Sequence, residues 1–183
     1  DDYFQSSLFT IARRRILWLL ILVLANGLTT KVIAMNDQIL KEIVLLAAFI
    51  PLLIGTGGNV GAQSSTVVIR GLSTQKLKSL GAVKAVVKEA ITGALLGVLM
   101  MLVVFPFAWW QGEGPLIASA VGISLISITT LAATTGAILP LLFDKMRLDP
   151  ALMSSPFITT VTDIAGVFIY LNTAKWLLSS SLT

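Results

Sequence analysis

Neither cysteine nor histidine occurs among the 183 residues. Without thiols there is no disulfide, no thiol redox chemistry and no thiolate ligand. Without imidazole the commonest general base and the usual zinc, copper and haem ligands are missing as well. Any metal ion bound here must be met by oxygen. Charge is scarce too: Asp, Glu, Lys and Arg make up 12% of the chain against 56% hydrophobic residues, with a mean hydropathy of +0.91. A soluble domain carries about 25% charged residues, so this composition calls for lipid. The formal net charge of +4 does not point to nucleic acid, because the basic residues stand beside apolar segments rather than among exposed aromatic platforms. The chain starts without an initiator Met, and its first ten residues lack the pattern of a signal peptide, so it reads as a fragment of a longer protein.

What is present is a series of long apolar runs, at about 16–35, 39–69, 82–110, 116–143 and 156–178. A hydrocarbon core of roughly 30 Å takes about 20 helical residues to cross, so each run is long enough. A membrane barrel would show alternation in segments of about ten residues, whereas these runs are continuous. The expected fold is therefore an all-α integral membrane domain of five transmembrane helices. Residues 1–12 read as the end of a cytosolic connecting helix and residues 13–183 as the membrane domain. Ten of the thirteen basic residues lie at one set of ends: Arg13, Arg14, Arg15, Arg70, Lys76, Lys78, Lys84, Lys88, Lys145 and Arg147. The other three, Lys31, Lys41 and Lys175, stand where they can snorkel from an opposite end. Positive residues stay inside, which puts the amino terminus in the cytoplasm and the carboxyl terminus outside. Trp109, Trp110 and Trp176 suit an outer aromatic belt. Five spans do not divide into two inverted halves, as many carriers do.

Of the nine acids, only Asp163 has apolar sequence on both sides within a span. A mid-span aspartate costs about 2.5–3.5 kcal/mol on insertion scales and needs a partner, a wet cavity or an ion. The nearest cations are poorly placed: Lys175 lies twelve residues on, roughly 18 Å along a helix. Ser155, Thr159, Asp163, Gly166 and Tyr170 fall on one helical stripe. Hydroxyls in such positions also bond back to their own helix, which needs no ion. The second run carries Pro51 and then Gly55, Gly57, Gly58, Asn59, Gly61, Gln63 and Thr66, an unusually polar and glycine-rich stretch. It predicts either tight packing or local unwinding that frees carbonyls toward a water-filled path. Gly58 precedes Arg70 by twelve residues and Asp163 follows Asp149 by fourteen. Both therefore stand roughly 18–21 Å from the same boundary and can share one path. Glu89, beside Lys88, reads as a headgroup-level acid or a vestibule residue, and the Gly93/Gly97 spacing as helix packing.

A single carboxylate per chain, doubled across a two-fold axis and surrounded by hydroxyls and carbonyls, suits a hard divalent cation that keeps its water. That description fits Mg2+ better than Ca2+, with Mn2+ or Co2+ as further alternatives. The chain reads as a transporter and not an enzyme, since one deep aspartate without a base makes no catalytic pair. A proton- or sodium-coupled carrier, in which Asp163 titrates, is the rival reading. A non-transporting membrane anchor is a third.

These residues also resemble the transmembrane domain of the MgtE magnesium channels. The resemblance rests on Pro51 with the Gly-Gly-Asn-x-Gly-x-Gln run, on Lys88-Glu89 before Gly93, and on Asp149-Pro150-Ala151 followed by Pro156 and Thr162-Asp163-x-x-Gly166. It implies a homodimer in the plasma membrane with a central pore lined by the second and fifth spans, passing Mg2+ into the cytoplasm. It further implies that Asp163 holds the hydrated ion together with the Thr159 carbonyl, and that Gly58, Asn59, Thr66, Ser155 and Thr162 line the pore. Ser155 stands where some members carry Asn and Ala62 replaces a polar residue, so the resemblance leaves open whether an inner second metal site is kept. Family members join this domain to cytosolic magnesium-sensing domains of the CBS type, which this sequence lacks.

Overall fold

The computed structural model of the chain describes residues 8–74 and 81–180. Residues 1–7 of the expected connecting helix, and Lys76 and Lys78 among the expected topology signals, lie outside the described residues. Among the described residues every regular element is a helix: α1 (Leu8–Met35), α2 (Asp37–Glu42), α3 (Val44–Ser73), α4 (Ala82–Ala108), α5 (Gly114–Lys145) and α6 (Pro150–Ser180). A π turn at Trp109–Glu113 joins α4 to α5. Four segments are long and apolar enough to cross a membrane: Val44–Ser73, Ala82–Gln111, Gly114–Lys145 and Ser155–Ser179. The apolar part of α1 is the shorter Leu19–Ala34, roughly 24 Å at 1.5 Å per residue.

Two expectations need correction. The run expected at 39–69 is not one helix. The Asn36 amide donates to the Val32 carbonyl at 2.7 Å, ending α1, and Asp37 pairs with Lys41 one turn on within the short α2. Ile43 then leaves helical backbone at φ −130°, ψ 81° before α3 begins. The glycine-rich run is not unwound either. α3 continues as α-helix through Pro51 and all its glycines, so the carbonyls there serve the helix.

α5 is the central helix, packed against α4 on one side and against α3 and α6 on the other. Lipid tails are as apolar as leucine, so helices in a membrane associate through close packing rather than hydrophobic expulsion, and small residues make that packing close. α5 supplies them: Ala118, Ala120, Gly122, Ser124, Ala132, Ala133, Gly136 and Ala137 are all buried. A Cβ on Gly136 would strike the Gly61 carbonyl of α3, and one on Gly93 would lie 2.6 Å from the Ala133 methyl. Gly93 and Gly97 of α4 both sit against α5, as their spacing predicts. α4 otherwise turns outward, with Val83, Ile91, Leu95, Leu102 and Val103 exposed. α1 makes its extensive contact with α6 alone.

The turns fix the order of the helices. Gly81 (φ 82°) and Gly114 (φ 74°) start α4 and α5 in backbone that side chains rarely adopt. At the end of α5, the Leu148 N–H donates to Phe143 (2.9 Å) and the Arg147 N–H to Asp144 (3.0 Å). Arg147 is left-handed at φ 60°, which completes a Schellman cap. Phe143 then meets Phe157 at 5.5 Å between ring centres, returning α6 onto α5.

Candidate functional site

α3 and α6 meet through glycine. A Cβ on Gly57 would lie 3.7 Å from the Thr162 Cβ and 2.7 Å from the Ile128 Cγ2 of α5, while one on Gly61 would strike Ile158. As α3 advances four residues α6 retreats four, so the two helices are antiparallel. In antiparallel right-handed helices a step of one residue, about 100° of turn, rotates toward the same side of the contact. Gly58 and Asp163 each follow a contact residue, Gly57 and Thr162. They therefore share a level, as the spacing in the sequence predicts, and also a side.

Around that point the two helices differ in what they expose. On α3, Leu53, Gly57, Val60, Gly61, Ser64, Ser65 and Val68 are buried, whereas Gly55, Asn59, Ala62, Gln63 and Thr66 are exposed and Gly58 is half-buried. Nothing stands within 4 Å of a Cβ added at Gly55 or Gly58, so packing within the chain explains Gly57 and Gly61 but not those two. The α6 stripe changes along its length. Ser155 and Thr159 are exposed, Asp163 is half-buried, and Gly166 and Tyr170 are buried, Gly166 against Ile128. Asp163 marks the point where the exposed face of α6 passes into the core.

No described residue makes an ion pair or hydrogen bond with the Asp163 side chain. The described residues also contain no group of three or more acids that could chelate a metal. Its neighbours along α6 include the hydroxyls of Thr159 and Thr162. The Thr159 hydroxyl donates to the Ser155 carbonyl at 3.1 Å, so its side chain is engaged with its own helix. The Thr159 carbonyl is half-buried. Thr66 likewise donates to Ala62 (2.9 Å). Thr162, expected on the pore wall, is fully buried at the α3 contact, its hydroxyl directed to the Ile158 and Thr159 carbonyls. Glu89 is half-buried on α4, whose contact with α3 is slight, so within one chain α5 stands between it and Asp163. Of the residues that join α3, α5 and α6 at this level, the sequence singled out Gly57 only as one member of the glycine run and did not mark Ile128. The four-residue spacing of Gly57 and Gly61 was the signal available for the first; nothing marked Ile128 among its apolar neighbours.

Comparison with known proteins agrees with this picture. The profile of the MgtE family, described as a divalent cation transporter, matches residues 50–173, which take in α3 from before the glycine run through most of α6. The chain is 37% identical over 166 residues to the magnesium transporter MgtE of Thermus thermophilus, covering 91% of this chain and 37% of that protein. It is 34% identical over 175 residues to the Bacillus subtilis protein of the same name, covering 95% and 39%. Against the one from Enterococcus faecalis it is 35% identical over 168 residues, covering 90% and 36%. The chain thus spans well under half the length of these relatives.

Proposed function

The chain belongs to the MgtE family, and on that footing we propose that it forms the pore of a magnesium channel, with Asp163 holding a hydrated divalent cation. The observation that carries this reading is the half-buried carboxylate of Asp163, without a cation partner among the described residues and level with Gly58 on the open side of the α3/α6 contact. An acid inside a membrane segment is expensive unless water or an ion attends it. The exposed face of α6 at Ser155 and Thr159 gives access to both. Magnesium sheds its water reluctantly and is commonly held through one or two carboxylates. Two copies of this chain, facing each other through the exposed side of α3 and the open end of α6, supply two such groups on one axis. In this reading α1 is a fifth span, the amino terminus is cytoplasmic, and the assembly sits in the plasma membrane below cytosolic sensing domains carried elsewhere in the full-length protein.

Uptake then needs no coupled fuel. One charge crossing 100 mV is worth about 2.3 kcal/mol, so a divalent ion entering an inside-negative cell gains about 4.6. Asp163→Asn and Asp163→Ala should abolish selective magnesium uptake by the full-length protein in liposomes, because neither replacement carries charge. Uptake and selectivity equal to wild type would remove Asp163 from the path. Unitary currents that ignore an imposed pH gradient are expected of a channel, whereas flux locked to proton movement would establish the carrier.

A further inference from the structure

α4 leaves one of its faces bare. It packs on α5 through Gly93 and Gly97 and barely meets α3. On its other side Val83, Val87, Ile91 and Leu95 recur at every fourth residue, all exposed, in a row that runs from the start of the helix toward its middle. Beside that row, each one residue on from a valine, stand Lys84 and Lys88, also exposed. They are one turn apart, about 6 Å along the axis. Val83, Lys84, Val87, Lys88, Ile91 and Thr92 line a shallow cleft of about 370 Å3. The Thr92 hydroxyl donates to the Lys88 carbonyl (2.8 Å), so it is engaged within the helix.

No acid neutralises the two lysines. Neither makes an ion pair among the described residues. Glu89 is half-buried and precedes Gly93 by four residues, which puts it on the side of α4 that meets α5. Asp144, the acid at the end of α5, lines a different cleft with Gly81, Ala82 and Lys145. This is also the basic end of the bundle: Arg70 stands in the last turn of α3, and Lys145 in that of α5. Two unpaired ammonium groups at the head of a bare apolar row complement a molecule with an anionic head and a hydrocarbon tail. Lysine suits such a place, because its stem lies along apolar surface while its charge stays at the level of the headgroups.

We propose that this face of α4 binds an anionic phospholipid, its phosphate between Lys84 and Lys88 and an acyl chain along Val87, Ile91 and Leu95. A zwitterionic lipid fits the apolar row equally well but brings no net charge to the lysines, so the site reads the charge of the head. Positive residues gather on the cytoplasmic side, where the leaflet supplies anionic lipid. The proposal does not depend on the reading of Asp163.

The test is lipid retention by the full-length protein, taken from micelles holding phosphatidylglycerol and phosphatidylcholine in equal amounts into native mass spectrometry. Wild type should keep phosphatidylglycerol in preference. K84Q/K88Q should lower that preference by about 25-fold, about fivefold for each basic residue at an anionic surface. R70Q/K145Q removes the same charge from the same end of the bundle but not from this face, and should keep the wild-type preference. Excess inorganic phosphate or glycerol 3-phosphate should not displace the lipid, since neither has a chain to lay on the apolar row. A wild-type preference in K84Q/K88Q would overturn the proposal. An equal fall in R70Q/K145Q would do so too, by making the attraction one of diffuse charge. Displacement by phosphate would make this a site for the free anion instead. Oxidative cross-linking of I91C between two protomers would mean that a second copy, and not lipid, covers the face.

Discussion

Asp163 is costly where it stands. Compensation is confined to groups that can hold a cation: no basic side chain reaches it among the described residues, and the hydroxyls around it donate to helix carbonyls rather than to the carboxylate. A site with so few fixed ligands favours an ion that brings its own water. Arg147 shows the reverse economy at the end of α5. There an ordinary residue is held at φ 60° to complete a cap that glycine usually serves. Arg147→Gly should raise stability by about 0.5–1 kcal/mol, the relief of left-handed strain less the added freedom of the unfolded chain. Thermal unfolding in detergent would register it as a higher midpoint, and an unchanged or lower one would mean that the arginine side chain stabilises the turn.

At the scale of elements, the glycines of α3 divide into two sets by what they face. Gly57 and Gly61 admit α5 and α6 at contact distances that a methyl group would block, and Gly136 of α5 admits the backbone of Gly61. Gly55 and Gly58 face open space. Gly136→Ala drives a methyl into a carbonyl that cannot move aside and should cost about 1–3 kcal/mol or more. Gly58→Ala meets nothing in the chain and should add up to about 1 kcal/mol of helix propensity. Its damage is expected in ion flux, through narrowing of the path, with no loss of stability. Denaturation midpoints of the two variants, set beside their uptake rates, test the division. A loss of stability at Gly58→Ala equal to that at Gly136→Ala would mean that the open face of α3 is packed within a single protomer.

At the scale of the molecule, α5 organises one protomer while α3 and α6 present what the protomer leaves uncovered. Asn59, Gln63 and Thr66 are exposed on the same helix as the exposed apolar residues Val44, Leu45, Leu52 and Val67. Hydrogen-bonding groups at membrane depth belong against protein or water. The absence of native cysteine makes the arrangement simple to probe. A single cysteine at Ala62 should cross-link two copies on mild oxidation, whereas one at Val103, on the outer face of α4, should not. Equal cross-linking at both positions would contradict a pairing through α3. Four segments are long enough to span the membrane. The fifth crossing assigned to α1 rests on its basic start and on its seat against α6.

Hydrophobic run length and residue type by themselves determined that the chain is helical and built for lipid, that any metal ion it meets must be held by oxygen, and that Asp163 is its exceptional acid. Those properties follow from composition and from a rise of 1.5 Å per residue, which do not depend on what packs against what. The level shared by Gly58 and Asp163 was legible for the same reason, since counting residues from a boundary measures depth. Direction around the helix axis was not. Whether a glycine means contact or clearance depends on the neighbouring helix. The same five-residue run therefore holds Gly57 and Gly61 in packing and leaves Gly58 open, and the unwinding that the glycines suggested did not occur. Thr162 and Asp163 differ by one residue in sequence and about 100° in space. Only the antiparallel seating of α6 on α3 decided that the first is buried in the contact and the second lies half-buried beside it.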